Sequence, residues 1–170
     1  MLPPEINHSK TWKYAQAEWE RRFLLEGLPT AMRQLPDKHI EDRYLLGSRL
    51  RLRKTIQEDQ VQYKLTKKLA LKEQEWISTI YLSEAEYTLL SQLPADRLEK
   101  IRHPFQPETG PTIGIDHLSL GGKEMWLAEV ELTEQTYASY LFPLPHLREV
   151  SQDPAYSGRE MARIFQSLLP

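Results

Sequence analysis

Apolar and polar residues alternate with a period of two over most of this chain, in segments near 14–25, 40–46, 48–56, 60–70, 73–82, 97–103, 112–120 and 124–133. That is the period of a β-strand, whose side chains point to opposite faces in turn. Turn residues such as Pro107-Glu108-Thr109-Gly110-Pro111 and Gly121-Gly122 separate several of these segments. Three helices are expected between or after them. Ser83-Glu84-Ala85-Glu86 is a capping box leading into Tyr87, Leu89, Leu90 and Leu93 before Pro94. Ser157-Gly158-Arg159-Glu160 is a second, with Met161, Ile164, Phe165 and Leu168 on one face, and Thr133 caps a third near 134–141. Residues 1–13 carry two prolines and little periodicity and read as a flexible lead-in; 14–170 read as one domain. Eight antiparallel strands can close into a barrel with every second residue inside. The expected fold is therefore α+β, mainly β: an eight-stranded antiparallel β-barrel or tunnel with a few outer helices.

The bulk numbers narrow the function. At 170 residues the chain suits one domain with a proper core, and its formal net charge of −2 gives no global basic field. Nucleic acid is thus not an expected partner. There are no cysteines, so disulfides, thiolate metal sites and cysteine nucleophiles are excluded. No apolar stretch approaches a membrane span, and Met1-Leu2-Pro3-Pro4-Glu5 lacks the regions of a signal peptide. The expected location is the cytoplasm. A homodimer is carried as an expectation that no residue specifies.

The charges are sorted by strand. Glu18-Trp19-Glu20 and Glu129-Val130-Glu131 each put two carboxylates on one face of a strand, about 7 Å apart. Two such charges repel by roughly 2.4 kcal/mol at an effective dielectric of about 20, and by about 0.6 in water. If they face inward, a cation belongs between them, and a hard divalent metal suits oxygen ligands. Arg49-Leu50-Arg51-Leu52-Arg53 sets three guanidiniums against two leucines, Lys64, Thr66 and Lys68 share a face, and Lys100-Ile101-Arg102 repeats the pattern. The alternate face carries Trp19, Leu50, Leu52, Leu65, Ile101, Ala128, Val130 and Leu132. A charged interior with an apolar outside is the reading, suited to a metal complexed with a phosphate chain. The five histidines show no metal-ligand spacing, and the four tryptophans read as outer-face core.

On these residues the chain resembles the CYTH family, the triphosphate tunnel metalloenzymes. The family's opening Glu-x-Glu-x-Lys is matched by Glu18-Trp19-Glu20-Arg21-Arg22. The resemblance continues through Tyr44-Leu45, the Arg49–Arg53 and Lys64–Lys68 strands, Tyr81–Tyr87, Glu99–Arg102 and Ile115-Asp116 to Ala128–Leu132. It implies a tunnel binding a triphosphate-containing small molecule with Mg2+ or Mn2+. By carry-over, Glu18, Glu20, Glu129 and Glu131 hold metal. Arg22, Arg51, Arg53, Lys64, Lys68, Lys100 and Arg102 bind the substrate, and Glu129, Glu131 and Tyr44 are the catalytic candidates. Glu75 and Asp116 are left without a fixed role.

Two departures from the family pattern matter. The signature lysine is Arg22 here, and an arginine stays charged and cannot serve as a base. Water must then be activated by a carboxylate or a metal-bound hydroxide. Where relatives often show Tyr-x-Asn, this chain has Tyr156-Ser157-Gly158. The leading expectation is metal-dependent hydrolysis of inorganic triphosphate or a related organic triphosphate. Its rivals are adenylate-cyclase-like chemistry on ATP and non-catalytic binding of polyphosphate or nucleotide.

Overall fold

The first expected strand is broken in two. In a computed structural model describing residues 14–29, 35–71 and 74–168, Gln16–Glu18 (β1) and Glu20–Leu25 (β2) are separated by Trp19. The following strands are Lys38–Leu45 (β3), Leu50–Gln57 (β4), Gln60–Leu71 (β5) and Gln74–Leu82 (β6). Helix α1 (Glu84–Leu90) precedes Ala95–Phe105 (β7), Ile113–Leu120 (β8) and Lys123–Glu131 (β9). A single-turn helix α2 (Glu134–Tyr137), a two-residue strand β10 (Arg148–Glu149), a 3-10 turn (Pro154–Tyr156) and helix α3 (Gly158–Ser167) complete the chain. The expected lead-in, 1–13, lies outside the described residues. No helix among the described residues is long and apolar enough to cross a membrane.

Every strand pairing is antiparallel, in the order β1-β6-β5-β4-β3-β7-β8-β9-β2-β10. The ladder therefore has two ends, and the expected closed barrel of eight strands is corrected to an open sheet of ten. The cause is the break at Trp19. Upstream of it, Glu18 pairs with Glu75 on β6; downstream, Glu20 pairs with Glu131 on β9. Among the described residues no ladder bond joins β1 to β2. Trp19 itself leaves the ladder, accepting Leu132 N–H at 2.7 Å and packing its ring 5.4 Å from Tyr137.

The helix signals hold in two places and shrink in a third. Ser83 and Glu86 form the reciprocal capping box, and Ser157 accepts Glu160 N–H at the start of α3. The helix expected over 134–141 is one turn, because its apolar residues are used by an irregular segment. Tyr137, Tyr140, Phe142 and Leu144 lie over Phe23, Leu25, Ile113, Ile115, Ala128 and Val130 on the outer face. The opposite face differs from the uniformly charged interior expected. Tyr44, Leu98, Leu118 and Leu127 share the parity of Asp42, Lys100, Asp116 and Glu129, yet they form a second core with Met161, Ala162 and Val150. That face is charged toward one end and apolar toward the other, where α3 lies against β7.

Candidate functional site

Two buried aspartates organise the basic residues. Strand register places Asp42 beside Arg53 and Tyr44 beside Arg51. Asp42 is buried and receives both sides of the Arg53 fork, Nε to Oδ1 at 2.6 Å and Nη2 to Oδ2 at 2.7 Å; Arg51 Nε stands 3.8 Å away. Burial alone would raise this carboxyl, but Arg53 and Arg51 outweigh it and bring it down to about 2. Arg51 Nε itself has no hydrogen-bond partner among the described residues.

The same device recurs across the sheet. Asp116 is fully buried on β8 and receives Arg102 Nε at 2.6 Å and Nη2 at 2.7 Å, while Lys100 donates to the same carboxylate. Arg102 passes over Gly114, where an added Cβ would lie 2.9 Å from its side chain, and continues to a further hydrogen bond with Glu129. Glycine is needed there for space. Burial opposes the charge of Glu129, but Lys100, Arg102, Arg53 and Lys68 together hold its carboxyl well below the usual range. Those four cations come from β7, β4 and β5, so the charged face curves until distant strands address one another.

The remaining acids meet at the seam between the two sheet ends. Lys68 donates to Glu18 at 2.5 Å and lies 3.9 Å from Glu75, which is exposed. Burial, with Glu129 the strongest of its charged neighbours, pushes Glu20 up to about 7 against the pull of Lys68. Glu18, Glu20, Arg22, Glu75, Ser151 and Asp153 line a cavity of about 300 Å³ at this seam. Lys64 pairs with Arg53 in the register, its ammonium 5.0 Å from the Tyr81 ring centre.

Three candidates are placed otherwise than the motifs imply. Glu131 ends β9 exposed. Tyr44 is buried in the second core, and burial, with Asp42 beside it, raises its hydroxyl well above the ordinary value. Arg22 lies 3.7 Å from Glu20 but donates Nη1 to Tyr156 O at 2.7 Å and Nη2 to Ser151 O at 2.8 Å. Asp42 belongs to none of the motifs, although Asp42 and Tyr44 alternate opposite Arg53 and Arg51. That complementarity was the available signal.

The donor chemistry suits a hard divalent cation: Glu20, Glu18 and Glu129 bring carboxylates together, and their mutual repulsion contributes to the raised Glu20. Among the described residues, no three acidic or histidine side chains already converge on one point. Lys68 and Arg102 hold Glu18 and Glu129 in hydrogen-bonded ion pairs.

No family model matches the chain, and no curated protein matches it. Solved structures do. Two crystal structures of NE1496, named in one case a hypothetical protein and in the other an inorganic triphosphatase, each align with a TM-score of 0.57. They are 23% and 20% identical to the chain, cover 85% of it and are themselves covered to 97% and 93%. PH1819 from Pyrococcus horikoshii OT3 aligns at 0.55 with 17% identity, over 72% of this chain and 82% of its own. A candidate adenylate cyclase from Bacillus halodurans aligns at 0.50 with 16% identity, over 78% of this chain and 96% of its own. At these identities the shared property is the fold, which is the fold that the CYTH resemblance implies.

Proposed function

We propose that the protein binds a triphosphate-bearing small molecule on this charged face and hydrolyses its terminal phosphoanhydride bond with Mg2+ or Mn2+. The observation that carries the reading is the two buried aspartates: Asp42 holds the Arg53 fork with Arg51 3.8 Å away, and Asp116 holds Arg102 and Lys100. Held in this way, the guanidiniums are oriented before any ligand arrives. Phosphoryl transfer asks mainly for such positioning and charge neutralisation. That NE1496, similar in fold, is named an inorganic triphosphatase supports the same substrate class.

In this reading Arg51, Arg53, Lys68, Lys100 and Arg102 take phosphate oxygens, with Lys64 beside Arg53 as a further contact. Ion pairs exchange as the ligand enters: Glu18 gives up Lys68, and Glu129 gives up its bond to Arg102. Glu18 and Glu129 would then hold the metal ion, which when bound would supply charge neutralisation and acidify a coordinated water, with Glu20 beside it and free of it. Glu20 is the base of choice, because a carboxyl near 7 is matched to neutral pH. It takes a proton as the water oxygen bonds to the terminal phosphorus and the bridging P–O bond breaks. From inorganic triphosphate the products are phosphate and diphosphate. Tyr44, whose proton is held on by burial, and the exposed Glu131 have no step here.

One observation favours a second reading, binding without turnover: the position of the signature lysine is filled by an arginine engaged by backbone carbonyls. Titration of inorganic triphosphate and Mg2+ into wild type, Arg53→Met and Arg102→Met tests the site common to both readings. Binding should weaken at least about tenfold in each variant, the range for losing charge-assisted hydrogen bonds. Equal affinity in all three would remove the site.

A further inference from the structure

Between Val150 and Gly158 the chain crosses from β2 to β3, two strands four places apart in the sheet order. At the near side Arg22 and this segment are bound on several sides. Val150 N–H donates to Arg22 O at 2.8 Å, Arg22 N–H donates to Ser151 Oγ at 3.0 Å, and the guanidinium spans Ser151 O and Tyr156 O. At the far side Gly158 lies against the Tyr44 ring. Beyond the crossing, Met161 and Ala162 are buried in the apolar end of the same face. The crossing is thus a floor between the charged end and the apolar end.

We infer that Arg22 is a positioning residue: it fixes this floor, which bounds the anion site, and does not itself grip the anion. The inference rests on the reading of the charged face as a triphosphate site. A guanidinium suits the task because its two terminal nitrogens reach carbonyls five residues apart at once. A lysine has one nitrogen, whose three rotatable donors lack the fixed fork that meets these two carbonyls. The floor then acts on the ligand through Glu20, Ser151 and Asp153, which line the seam cavity beside it.

Arg22→Lys and Arg22→Gln separate the two roles, since the first keeps the charge and both lose the span. Amide hydrogen exchange over 150–158 should rise about tenfold or more in both, as expected for a segment losing at least one charge-assisted bond. Amides of β7 and β8 should stay as protected as in wild type. Affinity for inorganic triphosphate with Mg2+, measured by calorimetry, should fall in both variants alike. Wild-type affinity in Arg22→Lys with a loss in Arg22→Gln would make Arg22 an anion contact and overturn the inference. Unchanged exchange would overturn it too, and raised exchange with unchanged affinity would leave Arg22 merely structural. If either variant fails to fold, Ser151→Ala, which removes the Ser151 Oγ bonds to Arg22 N–H and to Glu149 and leaves the guanidinium in place, should raise exchange in the same amides; no rise there rejects the hold of Arg22 on the floor. Wild type that binds no triphosphate would defeat the proposed function, while exchange, which needs no ligand, still decides whether Arg22 holds the floor.

Discussion

Gly158 lies so close to Tyr44 that a Cβ added to it would stand 2.0 Å from the phenol oxygen. The far end of the floor is therefore set by the absence of a side chain. Gly158→Ala should cost about 1–3 kcal/mol, the usual range for forcing extra volume into a packed core. Tyr44→Phe removes the clashing oxygen, so the double variant should recover part of the loss. Denaturant unfolding of the cycle checks this, and additive losses would contradict the contact.

Asp116 and Asp42 should be structural as well as functional. Asp116→Asn leaves Arg102 and Lys100 with a neutral partner and the charge of Glu129 shared between them, so the loss should approach but not exceed the roughly 3–5 kcal/mol of breaking a buried ion pair from one side. Inorganic triphosphate, by resupplying negative charge, should stabilise this variant against heat more than it stabilises wild type. An equal shift in both proteins would mean that the anion does not meet these cations.

Metal and triphosphate should bind cooperatively. The internal pairs Lys68–Glu18 and Arg102–Glu129 oppose either ligand alone, and each ligand removes the competitor of the other. Affinity for triphosphate measured with and without Mg2+ should differ at least about fivefold, the lower end of ordinary coupling, and Mg2+ affinity should change by the same factor. Independent binding would show that the internal pairs do not exchange.

The pH dependence has a definite sign. A carboxyl raised in the fold from 4.5 to about 7, as Glu20 is, stays protonated in the native chain while the unfolded chain has lost its proton. Its contribution to stability therefore falls as pH rises from about 4.5 to about 7 and is level above that window. Asp42, lowered from 3.8 to about 2, stabilises above its unfolded value and loses this as pH falls toward 2. Unfolding of wild type and Glu20→Gln at pH 5 and 8 isolates Glu20: wild type should lose stability relative to the variant at the higher pH. Parallel profiles would contradict the raised carboxyl.

The strands were legible because alternation is a local signal, and so were the caps at Ser83 and Ser157. The break at Trp19 was not, since Glu18-Trp19-Glu20 alternates without interruption and only the pairing of its halves with β6 and β9 divides it. Residues 150–158 follow no period, so nothing in them announced the floor or its hold on Arg22. The apolar end of the charged face escaped notice for a related reason. Leu98 and Leu127 share a parity with Lys100 and Glu129, and only α3, distant in sequence, decides which end is dry.

The most direct measurement is phosphate release from inorganic triphosphate by the purified protein, with Mg2+, with Mn2+ and with EDTA, and with ATP and thiamine triphosphate alongside. Release from a triphosphate that EDTA abolishes and Glu20→Gln strongly reduces is the predicted result. No release from any of the three, under conditions where inorganic triphosphate binds, would contradict hydrolysis and leave a binding protein.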